Sequence, residues 1–194
     1  MKLYIETSAI LYLLADSEPY KKDRTVEMYE KLSTVAAELM ISAIYEAEIK
    51  KAPPMLAKCL PSIMDKKKIV KTDLRDSHIT MAALLAEQEI VPSLSVFEAI
   101  HLACALCEKC DIFVTWDFEA IYESETLVRL KKFTAAQSLA PLIVASPEML
   151  LRQGYGGPKS LHELREMRNL AIEESKEKSS KEIILSLGST FGRN

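Results

Sequence analysis

Five short apolar runs, with helix-forming sequence between them, narrow this chain to few folds. They are Lys2–Ile5, Leu39–Ile41, Ile69 with Val70, Ile112–Val114 and Leu142–Val144. The fourth is β-branched and aromatic and is bounded by polar residues, the mark of a buried strand. The intervening stretches read as helices. Ala9–Ala15 takes Thr7 or Ser8 as its N-cap and is broken by Asp16-Ser17-Glu18-Pro19. Arg24–Ala37 carries Val26, Tyr29, Leu32 and Ala36 at helical spacing. Ser42 caps a helix holding Ile44, Glu46, Glu48 and Ile49, which Pro53-Pro54 ends. Met55–Met64 is a further helix in which Pro61 predicts a kink or an early stop, and Lys66–Lys68 is a turn. Asp73–Gln88 is capped near Thr72, with Leu74, Ile79, Ala82, Ala83 and Leu85 as its buried face. The Ala- and Leu-rich run opened by Glu98 is the helix before the fourth strand. This alternation predicts an α/β fold with a central parallel sheet flanked by helices. Right-handed crossovers then put the carboxyl ends of all strands on one side.

At 194 residues and 48% hydrophobic, the chain supports one domain with a sizeable core. Composition shifts past Pro147, so the expected division is a domain over 1–150 and a helical extension over 151–194. The extension holds a turn at Gln153–Pro158, an amphipathic helix at Ser160–Ser175 and a charged linker. It covers its own domain, pairs two protomers or grips a partner. The longest apolar stretches fall far short of the roughly 18 residues that span a bilayer. The opening MKLYIETS lacks a signal peptide's apolar core, so no membrane association and a cytoplasmic location are expected. Four cysteines, three of them at 104, 107 and 110, fit reduced thiols better than a disulfide framework. The spacing of His101, Cys104, Cys107 and Cys110 resembles part of an iron–sulfur or zinc site, but steps of three rotate about 60° around a helix, so His101 and Cys110 do not face one ion and the thiols read as small buried hydrophobes. A net charge of −3 and a pI near 5.7 argue against nonspecific polyanion binding. Two bound divalent ions would move that −3 by +4, to +1.

Acidic residues recur just past strands or in first helical turns: Glu6, Glu48, Glu98 and Asp117. In a right-handed parallel sheet these positions converge. Four like charges in one crevice repel strongly and require divalent cations. All-oxygen ligands suit Mg²⁺ or Mn²⁺. Glu46 lies about 200° around the helix from Glu48, so one of the two faces the crevice. His101, three residues past Glu98, is either a ligand or neighbour of that site or a histidine packing on the sheet. Trp116 either stacks a base or packs its loop against the neighbouring helix.

Four segments resemble one known family. MKLYIETSAI resembles its opening strand followed by Asp-Thr-Ser, and ISAIYEAEIKKAP its Ser with a downstream Glu. FEAIHLACA looks like its Asp-Ala-hydrophobic-His-hydrophobic-Ala segment, and IFVTWDFEAI its strand ending in Thr or Ser, Trp, and Asn or Asp. The family is the PIN-domain nucleases, in particular the VapC-like toxins, and the likeness runs from Met1 to about Glu148. It implies a three-layer α/β/α domain and metal-dependent endoribonuclease activity that leaves 5′-phosphate and 3′-hydroxyl ends. It also implies an RNA substrate, a small antitoxin protein that blocks the activity, and a homodimer. Carried onto this chain, it makes Glu6, Glu98 and Asp117 the metal ligands and Glu48 the residue that orients water or holds a second ion. Thr7, Ser8, Thr115 and His101 then serve substrate or support the ligands. Lys21, Lys22, Arg24, Lys50 and Lys51 are candidates for the RNA backbone. Two family aspartates are Glu6 and Glu98 here, each longer by one C–C bond of about 1.5 Å. That leaves open a re-spaced site, a preference for the larger Mn²⁺, or a catalytically impaired PIN-shaped binding module. A structure-selective DNA nuclease is a third class, and the large insertions such enzymes use are not evident.

Overall fold

A computed structural model describes residues 1–52, 54–90, 96–117 and 124–152. Five strands, β1 (Lys2–Ile5), β2 (Glu38–Ser42), β3 (Ile69–Thr72), β4 (Ile112–Val114) and β5 (Ile143–Ala145), form one sheet in the order β3-β2-β1-β4-β5. Every neighbouring pair is parallel. In the centre, Tyr4 stands beside Met40 on one side and Phe113 on the other. The helices are α1 (Thr7–Leu11), α2 (Pro19–Ser33), α3 (Tyr45–Ile49), α4 (Pro54–Lys67), α5 (Asp76–Glu87), α6 (Val96–Cys107), α7 (Ser124–Ala136) and α8 (Pro147–Arg152). A 3₁₀ turn over Tyr12–Leu14 extends α1.

The strand pleat divides the core in two. Leu3, Ile5, Ile41, Ile112 and Val114 point into one cluster with Ile10, Met28, Tyr29, Leu60 and Leu150, from α1, α2, α4 and α8. Tyr4, Met40, Phe113 and Val144 point into the other, with Ala82, Leu85, Leu102 and Phe133 from α5, α6 and α7. The result is three layers, α/β/α, and each large apolar side chain so enclosed is worth roughly 1.5–3 kcal/mol over its exposed state. From β1 the chain moves outward through β2 to β3 with α1–α4 on one face. It then crosses to β4 and β5 with α5–α7 on the opposite face. The order therefore reverses between β1 and β4. In an open α/β sheet, the crevice that receives ligands lies at such a switch point, outside the strands' carboxyl ends.

Several local expectations shift. Ser42 is the last residue of β2, and α3 starts after Ile44 with no side-chain cap. Pro19 opens α2, a first-turn position that suits its missing N–H. Pro61 sits inside α4, which runs through it to Lys67, so the turn shrinks to Lys68. Helix α5 starts at Asp76 because Thr72 ends β3, and its buried face is His78, Ala82 and Leu85, with Leu74 and Ile79 substantially exposed. Cys104 and Cys110 are buried and Cys107 half-buried, all free thiols. Trp116 packs inward and its indole N–H donates to Thr25 of α2 at 2.8 Å. Among the described residues no helix is long and apolar enough to cross a membrane. The extension over 151–194 lies outside the described residues beyond Arg152.

Candidate metal centre and its hydrogen-bond network

The crevice at the switch point is walled by the residues that follow β1, β2 and β4. Glu6 stands directly after β1, with extended backbone (φ −72°, ψ 154°), and it is the N-cap of α1 in place of the expected Thr7 or Ser8. Glutamate is not among the preferred caps. Here its carboxylate folds back to accept the Ser8 N–H at 3.0 Å on both oxygens, the bond that the shorter capping side chains also make. The Ser8 hydroxyl also donates to Glu6 Oε2, as does the Thr115 hydroxyl at 3.0 Å. Thr115 Oγ1 in turn accepts the Asp117 N–H at 2.9 Å, and Ser8 Oγ accepts the Trp116 N–H at 3.0 Å. The segment after β4 is thus tied, hydrogen bond by hydrogen bond, to the segment after β1.

Glu48 enters from α3. It turns inward, whereas Glu46 pairs with Lys71 at the exposed sheet edge, 2.7 Å away. Glu48 Oε2 receives the Thr7 hydroxyl and lies 2.7 Å from His101 Nε2. His101, on α6, is fully buried, and its Nδ1 lies 2.7 Å from the Tyr4 hydroxyl. One ligand atom each from Glu6, Glu48 and His101 lies within 4.8 Å of the others. Glu98 and Asp117 stand outside that group of three. Glu98 is half-buried in the first turn of α6, one turn before His101, and Asp117 is half-buried past β4, and both have interaction partners.

The two carboxylates are driven apart electrostatically. Burial pushes Glu6 above the usual carboxylate range, against the pull of His101 and the Ser8 hydrogen bonds and with some help from Glu48. Burial also works to raise Glu48, but the hydrogen bond and charge of His101, the Thr7 hydroxyl and Lys51 outweigh it and hold the group below its usual value. Burial of Glu6 and the His101 and Thr7 contacts of Glu48 thus set the two groups apart, and a cation bound between them would lower both. The two carboxylates supply oxygen donors that suit a small divalent ion such as Mg²⁺ or Mn²⁺, while both ring nitrogens of His101 are engaged by Tyr4, Glu48 and Thr7.

Of the basic candidates, Lys21 donates to Tyr12, Lys22 pairs with Asp16, and Arg24 pairs with Glu27. Lys51 lies over the Phe97 ring at 4.9 Å and near Glu48, which leaves it the best placed of the five. The Ser8 N–H, which a phosphate at this helix start would need, is already held by Glu6. A groove of about 980 Å³ lies at the opposite edge of the sheet, bordered by Lys2, Glu38, Lys66, Lys67 and Lys109, and it shares no residue with the carboxylate cluster. Lysines in the last turn of α4 complement that helix's carbonyl end.

His101 packs on the sheet and also neighbours the site, the two readings the sequence offered, but the part of Tyr4 was not legible: it lies 97 residues from His101, and no local pattern announces the pairing.

No family model matches the chain, and no curated protein matches it. Among solved structures it is similar to the crystal structure of VapBC2 from Rickettsia felis bound to a DNA fragment from its promoter. Identity is 15%, the TM-score is 0.49, and the alignment covers 75% of this chain and 98% of that one. A likeness that distant carries no conclusion about family or activity.

Proposed function

We propose that this chain is a divalent-metal-dependent endoribonuclease of the PIN type, its domain spanning 1–150. The observation that carries the reading is the meeting of Glu6 and Glu48, 42 positions apart in sequence, within 4.8 Å at the sheet's switch point. The four motif segments of the sequence support it from a separate direction. Glu6, Glu98 and Asp117 are the residues assigned to hold Mg²⁺ or Mn²⁺, which when bound acidifies a water and offsets charge on the phosphoryl oxygens. Glu48, fixed through Oε2, would share an ion with Glu6 through its other oxygen, the second-ion role, and orient the water bound there. Thr115 and Ser8 hold Glu6 in place, and Lys51 meets the RNA backbone beside Glu48. The partners that belong to this reading are single-stranded RNA, a small antitoxin protein and a second copy of the chain, with the 151–194 extension available for the protein contacts.

The test is cleavage of single-stranded RNA with Mn²⁺ or Mg²⁺ by wild type, Glu48→Gln and Asp117→Asn. Each variant is expected to lose about 100-fold or more, the scale of a lost group that acts on developing charge. Cleavage that survives both changes, or that persists in chelator, contradicts the assignment. A wild type that binds RNA and Mn²⁺ without cleaving favours the binding module, and cleavage of flap or junction DNA alone favours the DNA nuclease.

A further inference from the structure

Behind the carboxylate pair lies a buried relay that none of the motif segments predicted. The Tyr4 hydroxyl, in the middle of the central strand and fully buried, contacts Ser42 Oγ at 2.7 Å and accepts the Ser42 N–H at 3.2 Å. It also meets His101 Nδ1 at 2.7 Å, and His101 Nε2 reaches Glu48 Oε2 at 2.7 Å and Thr7 Oγ1 at 3.2 Å. We propose that Tyr4, backed by Ser42, is a positioning residue for this centre: its hydroxyl fixes the ring and tautomer of His101, and through His101 the orientation of Glu48.

Counting protons supports the direction of the relay. Thr7 has one hydroxyl proton and gives it to Glu48 Oε2. Both contacts of Nε2, to an ionised carboxylate and to a hydroxyl whose proton is already committed, therefore need a proton on Nε2. Nδ1 is left facing Tyr4 alone among the described residues. The phenol has one proton, and it goes either to Nδ1 or to Ser42 Oγ. In both arrangements Nε2 carries its hydrogen toward Glu48. A nitrogen so protonated does not ligate a metal, so His101 acts as a donor to Glu48 while this contact stands.

The consequence falls on Glu48. Thr7 and His101 both land on Oε2, and among the described residues Oε1 has no hydrogen-bond partner. The side chain keeps 21% of its surface exposed. The relay therefore holds one oxygen and presents the other to the crevice. A fixed donor removes the cost of freezing the glutamate's rotamers from the binding step. Ring packing is separable from this role, because Tyr4 stacks on Phe113 at 5.4 Å and 3° through its ring alone.

The inference rests on reading Glu48 as part of a cation site, but the relay can be tested without RNA. The measurements are His101 ring ¹⁵N–¹H exchange by NMR and Mn²⁺ binding by calorimetry, on the full chain. Tyr4→Phe is expected to speed Nε2–H exchange at least about tenfold and to weaken Mn²⁺ about 10–100-fold, as loss of a group supporting a metal ligand does. Ser42→Ala is expected to move both in the same direction by a smaller factor and stands in should Tyr4→Phe fold poorly. Phe113→Leu is expected to lower the melting temperature and leave both readouts as in wild type. Unchanged exchange and affinity in Tyr4→Phe overturn the proposal, as does an equal effect from Phe113→Leu. If wild type binds no Mn²⁺, the proposed function falls, while the exchange comparison still decides the relay.

Discussion

Glu6 and His78 are both buried titratable groups, and only Glu6 does two jobs. The Glu6 carboxylate caps its own helix and lines the crevice, which an aspartate at the same position would reach differently. His78 serves structure alone. It is fully buried on α5, its Nδ1 accepts the Arg75 N–H at 3.2 Å, and its Nε2 lies 3.2 Å from Glu108, which also pairs with Arg75. Burial, and then the charge of Arg75, lowers its pKa below the ordinary histidine value. The unfolded chain therefore takes up a proton near pH 6.5 that the folded chain resists. The contribution is complete above about pH 6.5, declines as pH falls below that value, and levels off once the folded pKa is passed. Urea midpoints between pH 8 and pH 5 should show this decline, and His78→Gln should flatten part of it. An identical pH slope in the variant would contradict the account.

At the scale of elements, α4 carries an avoidable cost. Pro61 lies in its interior, exposed to solvent, and lacks the N–H that would bond one turn back. Pro61→Ala is expected to stabilise the protein by about 1–3 kcal/mol, read from the urea midpoint, and a destabilised variant would mean that the proline ring makes a contact the helix needs. The strands were readable from the sequence because each holds a short apolar run, in most cases bounded by polar residues. Helix starts were read less well, for a physical reason in each case. Ser42 resembles a cap but its hydroxyl serves Tyr4, 38 residues away. The buried stripe of α5 holds at Ala82 and Leu85, but Leu74 and Ile79 are exposed and His78 is buried, because Arg75 and Glu108 satisfy its nitrogens. Propensity and periodicity see local sequence, and these choices were made by distant partners.

For the molecule as a whole, the central sheet explains why residues remote in sequence meet. Strand order places β1 between β2 and β4, and all strands run parallel, so whatever follows each of them gathers at one edge. That much of the site followed from topology and the positions of Glu6, Glu48 and Thr115. The grouping itself did not, since a histidine rather than a further carboxylate completes the closest trio. Packing should be correspondingly sensitive at the junction: Leu102→Ala, fully buried on α6 one residue past His101, is expected to cost about 2–5 kcal/mol by chemical denaturation. In the proposed reading, Glu6 and Glu48 come together to share a divalent ion. The most direct measurement is anomalous diffraction at the manganese edge from a crystal soaked in Mn²⁺. A peak within about 2.0–2.6 Å of carboxylate oxygens from both Glu6 and Glu48 is the predicted result, and its absence there, with manganese bound elsewhere or nowhere, would contradict it.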